Sequence, residues 1–186
     1  MAATGEAVTP IVCDSNHSGA VFSADLRHRY QLYRRLADTG EAERTPALFL
    51  MLNPSTATHT EDDPTIRRCV RFARDWGHGH LYVANLFSLR STDPRALRTD
   101  AYAEGDPENR HYITVLAMRS ALVVCAWGAH GSLRGRSTTI VDMLTAANVD
   151  LWTLGLTQGG QPKHPLYLSA TLEPKRWCQG RVGVEL

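Results

Sequence analysis

The stretch ALFLMLNPSTATHTEDDP, residues 47–64, decides the fold. Its first six residues, Ala47 to Leu52, form an unbroken apolar run of strand length, as expected of a central strand covered on both faces. Asn53 and Pro54 stop the run. Asp63-Pro64 then supplies a helix N-cap and a proline at the first helical position. The helix predicted from Thr65 to Trp76 carries Ile66, Cys69, Val70 and Ala73 at helical spacing, and Gly77 and Gly79 end it.

The same alternation continues outward. Leu81–Leu86 and Ala121–Trp127 read as further buried strands, and Asp150–Leu154 as a fourth. Between them, Asp93-Pro94 opens a short helix and Asp106-Pro107 a longer one to about Ser120. Gly128 to Arg136 is a glycine- and arginine-rich turn, and Ser137 caps a helix to about Ala147. Strand and helix in alternation predict a three-layer α/β/α sandwich around a central, mostly parallel sheet. Ala20 to Leu36, before this unit, is read as a short strand or hairpin leading into helix or loop, so that it extends one edge. Residues 1–19 are expected to be a flexible N-terminus, and residues 20–186 a single α/β domain.

Composition narrows the class. The chain has 186 residues, with 43% apolar and 21% charged, which describes a globular protein. No apolar run approaches the roughly 20 residues that span a bilayer, and MAATGEAVTP lacks the basic and apolar regions of a secretory signal. The four cysteines, Cys13, Cys69, Cys125 and Cys178, show no metal-ligand spacing and no disulfide framework. A cytoplasmic location is expected, with no membrane partner, metal or cofactor. The oligomeric state is open. The formal net charge is +1, so there is no global basic field; yet all 20 cationic side chains except Lys163 and Lys175 are arginine, a fork suited to phosphate and carboxylate. Phosphate loops, dinucleotide fingerprints and nucleophile elbows are missing.

In an open parallel sheet, ligands bind outside the carboxyl ends of the strands. Asn53, Pro54 and Ser55 follow the first strand. Asn85 and Phe87 stand at the end of the second, Trp127 at the end of the third, and Lys163-His164-Pro165 beyond the fourth. Carboxamides, an imidazole, a hydroxyl and aromatic rings suit a neutral heterocycle, with Phe87 or Trp127 as a stacking face. A polar amide such as Asn85 at the end of a buried strand needs partners or a ligand. Asp62 and Asp63 most simply cap the helix, although Asp62 has the option of facing the cleft. Arg134, Arg136, Lys163 and Lys175 lie close in chain to the third and fourth strand ends and are the candidate phosphate or DNA contacts.

The segments FLMLNPSTA, DDPTIRRCVRFARDWG and LYVANLFSLRSTDP resemble the bacterial and phage family called domain of unknown function 1643, over roughly Ala20 to Pro174. More distantly, the order LNPS, VANLF, VVCAWGAHG and KHPLYLS is similar to the motif order of the uracil-DNA glycosylase superfamily. That second resemblance implies a base-excising fold. Asn53 would position the attacking water, Asn85 would read the base, and His164 would stabilise the departing base anion. Leu166 to Ser169 would enter the minor groove, with Lys163 and Lys175 near phosphate. The acid that activates water in the efficient uracil enzymes is replaced by Asn53, and their His-Pro-Ser-Pro reads HPLY here. The expected function is therefore nucleobase or nucleotide binding, with DNA or a nucleobase or nucleotide as partner and possible hydrolysis at a modified or damaged base. A non-catalytic base-binding module and a small-molecule nucleoside or nucleotide hydrolase remain open.

Overall fold

The computed structural model describes residues 10–15, 17–36, 45–93 and 95–177. Strands β1 (Ile11–Asp14), β2 (Ser18–Phe22) and β3 (Arg29–Arg35) form an antiparallel meander. The regular unit follows as β4 (Pro46–Met51), α1 (Pro64–Asp75), β5 (His80–Asn85), α2 (Ala96–Thr99), α3 (Glu108–Arg119), β6 (Leu122–Cys125), α4 (Arg136–Ala146) and β7 (Leu151–Thr153). A two-residue strand, β8 (Lys175–Arg176), closes the far edge.

The strands make one eight-stranded sheet in the order β1-β2-β3-β5-β4-β6-β7-β8. The expected mostly parallel sheet is corrected here. The four apolar runs are parallel neighbours, β5-β4-β6-β7, but four of the seven pairings in the whole sheet are antiparallel. The cause is the N-terminal region. It supplies three strands rather than one edge hairpin, and β8 adds another antiparallel partner. Of the stretch expected to be flexible, residues 1–9 lie outside the described residues, while Ile11–Asp14 and Ser18–Gly19 pair in the sheet.

Helices cover both faces. On one, Ile66, Cys69, Phe72 and Ala73 of α1 pack on Ala47, Phe49, Leu81, Val83 and Val124. On the other, Ile113 and Leu116 of α3 and Ile140 and Leu144 of α4 pack on Leu48, Leu50, Val123 and Cys125. This doubly covered arrangement explains the continuous apolar runs, because every residue of such a strand faces a core. Asp63 caps α1 as expected: Oδ1 accepts from the Ile66 N–H at 2.8 Å. Ser137 is not the cap of α4. That helix starts at Arg136 after Gly135 in the left-handed region (φ 66°), and Ser137 is buried inside it. No helix among the described residues is long and apolar enough to cross a membrane.

Chain order runs from β4 to β5 on one side and then back over β4 to β6 on the other. The loops leaving β4 and β6 therefore diverge, opening a crevice at the carboxyl edge where the winding reverses.

Candidate functional site

A cavity of about 480 Å³ occupies that crevice. Asn53 and Ser55 after β4, Asn85 at the end of β5, Trp127 and Gly128 after β6, and His164 beyond β7 line it together. It belongs to the size range of small-ligand sites.

Each polar group is placed by its element. Leu81, Val83 and Asn85 alternate onto the α1 face of β5, so the third position of an apolar series carries an amide into the cavity wall. Asn85 is 1% exposed, its Nδ2 has no acceptor, and its side chain makes no hydrogen bond among the described residues. Its backbone carbonyl is held by Nδ2 of Asn109 on α3 at 3.1 Å. Asn53 is oriented instead by its own amide: Nδ2 donates to the carbonyls of Ser91 at 2.7 Å and Pro54 at 3.1 Å. Those two bonds leave Oδ1 as an acceptor.

His164 is half-buried, and burial holds its imidazole below the ordinary value of 6.5, against a smaller opposing pull from the Asp63 carboxylate. The ring is therefore neutral at neutral pH. Nδ1 accepts from the Leu166 N–H at 3.4 Å, which puts the ring proton on Nε2. Two glycines shape the β6 side. Gly128 has φ 77° and ties the turn to the last loop through its N–H and the Pro162 carbonyl at 2.8 Å. A Cβ at Gly131 would fall 1.9 Å from Cδ1 of Trp127, so that ring seats only against glycine.

Three groups stand in the wall that the sequence reading did not put there. Asp63 lines the cavity as well as capping α1. It is Asp62, the neighbour with the option of facing the cleft, that turns away to bond Arg34 Nε at 2.8 Å. Ser91 and Thr92 come from the loop after β5. Arg29, at the start of β3, is the third. The pairing of Val21 with Gln31 and of Phe22 with Arg29 leaves Tyr30 as an extra residue, a β-bulge. Regular alternation would put Arg29 on the face of Gln31 and Tyr33; the bulge turns it to the opposite face, into the cavity.

Several expected contacts sit elsewhere. Phe87 is fully buried in the core beneath α3 and α4, so it offers no stacking face. Trp127 reaches the cavity but is 1% exposed, with Nε1 bonded to Gln161 Oε1 at 2.8 Å and its ring edge-on to Trp177. Pro54 is not in the wall; its carbonyl accepts from Asn53 and from the Ser91 N–H. Arg136 is buried, clamping Asp106 through Nη1 at 2.6 Å and Nη2 at 2.8 Å, and donating from Nε to the Leu86 carbonyl. Arg134 grips Glu104 and the carbonyls of Arg98 and Asp100. Both arginines are engaged in bonds within the protein, Arg136 buried and Arg134 at the surface. Lys175 pairs with Thr153 on edge strand β8, and neither it nor Lys163 enters the cavity wall.

No group of three or more candidate metal ligands occurs among the described residues. The Cys69 and Cys125 thiols are buried, which pushes both upward and leaves them unreactive.

No curated protein and no solved structure matches the chain. One family model does, over residues 29–166, a stretch that runs from Arg29 past His164 and contains every residue of the cavity wall. The chain belongs to the family described as protein of unknown function, DUF1643.

Proposed function

We propose that the protein binds a nucleobase or nucleotide in this cavity and hydrolyses an N-glycosidic bond to a modified or damaged base, on a three-layer scaffold resembling uracil-DNA glycosylases. The observation that carries the reading is the unsatisfied carboxamide of Asn85, buried in the wall of a cavity it shares with Asn53 and His164. A buried amide with no partner costs about 1–3 kcal/mol, which a base edge with complementary donors and acceptors recovers.

The residue types support a division of roles. Asn85 pairs with the base edge. As the bond between base nitrogen and anomeric carbon breaks, its electron pair leaves with the base, and charge collects on a base carbonyl oxygen. The Nε2–H of His164 donates there. Water adds to the anomeric carbon, oriented by Oδ1 of Asn53. An amide does not take the water's proton, so the carboxylate of Asp63 is the acceptor in this wall.

The test is release of free base from nucleosides and from duplex and single-stranded oligonucleotides carrying varied bases. Turnover is expected for at least one base, with Asp63→Asn and His164→Gln each slowing it about 10²–10⁴-fold. Asn85-dependent binding with no base released from any substrate would leave a non-catalytic binding module. No binding and no release would overturn the reading.

A further inference from the structure

Arg29 and Arg90 are the two arginines whose situation the proposed chemistry leaves unexplained. Arg29 is 2% exposed, makes one side-chain hydrogen bond, from Nη1 to the Ala57 carbonyl at 2.8 Å, and has a buried Nε with no acceptor. Arg90 is half-buried, with its guanidinium over the Phe22 ring: Nη1 bonds the Leu26 carbonyl at 3.0 Å, and its buried Nε has no acceptor. Neither has a carboxylate within ion-pair distance among the described residues. They are also neighbours: the Arg29 N–H donates to the Ser88 carbonyl at 2.9 Å, and Phe22, the ring under the Arg90 guanidinium, is the residue paired with Arg29. Burial first, and then the charges of Arg90 and Arg34, bring the Arg29 guanidinium down to about 10, against the pull of Asp63.

The two arginines line adjoining hollows. An open depression of about 580 Å³, walled by Arg27, Arg90 and Thr56, shares Ser55, Ser91 and Thr92 with the cavity that holds Arg29. Arg27 is already bonded to Asp100, so Arg90 is the arginine of this depression without an ion-pair partner. Asp63 offsets part of the charge on Arg29, and Arg90 has no carboxylate partner; two guanidinium groups beside the hydroxyls of Ser55 and Thr92 suit an anion.

We propose that the adjoining hollows of Arg29 and Arg90, joined over Ser55 and Thr92, bind the phosphate of a nucleotide whose base occupies the cavity. This rests on the base-binding reading and gives the ligand a direction. The phosphate leaves toward β3, on the opposite side of Asn85 from His164, and away from Arg134 and Lys175.

Calorimetric titration of the full chain tests it, with nucleosides, their 5′-monophosphates, ribose 5-phosphate, inorganic phosphate and a single-stranded tetranucleotide as probes. The monophosphate is expected to bind about ten- to hundredfold more tightly than its nucleoside, the range of hydrogen bonds to a charged group. Arg90→Gln, a change at the rim, should largely abolish that preference while leaving nucleoside affinity in place; Arg29→Gln should do the same if it folds. A tetranucleotide that outbinds the monophosphate and depends on Arg90 upholds the subsite and makes a polymer its phosphate source. Ribose 5-phosphate binding as tightly as any nucleotide, sensitive to Arg90→Gln but not to Asn85→Ala, upholds the phosphate site and overturns base reading. Equal affinity for nucleoside and monophosphate, a preference that survives Arg90→Gln, or no binding of any probe overturns the proposal.

Discussion

Nδ2 of Asn53 donates to the Ser91 carbonyl at 2.7 Å, tying the loop after β4 to the loop after β5 across the floor of the cavity. The tie has a direction that only an amide supplies. Asn53→Asp places a carboxylate against the carbonyls of Ser91 and Pro54. It is expected to lose about 2–3 kcal/mol, a melting drop of about 4–12 °C for a chain of this size, without a gain in base release. Thermal unfolding of the variant beside Asn53→Ala checks this; an Asn53→Asp protein that melts like the parent would mean that the tie contributes nothing.

The amide of Asn85 is expected to behave in the opposite way. It has no bond to lose, so Asn85→Ala should leave the melting temperature within a few degrees of the parent while weakening ligand binding by about 1–3 kcal/mol. Paired melting and titration curves decide it. A large melting loss with unchanged affinity would make Asn85 a structural residue.

These two amides show how much of the site was legible. Asn53 and Asn85 follow continuous apolar runs, so the strand ends, and the residues just past them, could be located from hydropathy alone. The N-terminal meander could not. Its strands carry polar residues such as Arg29, Gln31 and Arg34, and one of them is bulged. That bulge hid Arg29, because no local signal marks Tyr30 as the extra residue. The internal partners of Arg134 and Arg136 were hidden for a related reason. Their acceptors, Glu104 and Asp106, lie about one helix away in the chain and become neighbours only in the fold.

Arg136 accordingly carries a stability prediction. It is buried, bidentate to Asp106, and bonded to the Leu86 carbonyl at the end of β5. Arg136→Ala removes three hydrogen bonds but leaves Asp106 its ion pair with Arg110 at 3.0 Å, and should cost about 1.5–3 kcal/mol. Denaturant unfolding of Arg136→Ala should show this loss. Full stability combined with weakened oligonucleotide binding would return Arg136 to a phosphate-contact role.

The pH dependence follows from His164. Its imidazole is held below the ordinary 6.5 in the folded protein, chiefly by burial, so the unfolded chain binds the proton more readily. Stability from this group is complete above about pH 6.5 and falls as the pH drops below it, until the folded imidazole also protonates. His28, lowered by burial in the same way, adds to the slope. Melting temperature between pH 8 and pH 5 should therefore decline on acidification, and His164→Gln should flatten part of that decline. A variant whose profile superimposes on the parent's would remove His164 from the titration.

Arg29 supplies the last prediction, and it runs against the usual cost of altering a buried residue. A guanidinium taken out of water with one hydrogen bond and no carboxylate partner carries a desolvation penalty of several kcal/mol. Methionine fills similar space, keeps the apolar contacts of the side-chain stem, and removes the charge; what it gives up is the bond to the Ala57 carbonyl, worth about 1 kcal/mol. The balance favours the variant. Arg29→Met is expected to melt at or above the parent temperature. A stable variant with impaired binding would show a charge kept for its ligand at the expense of the fold. A melting temperature lowered by more than about 5 °C, beyond what one lost hydrogen bond explains, would show that Arg29 holds the segment around Ala57 in place.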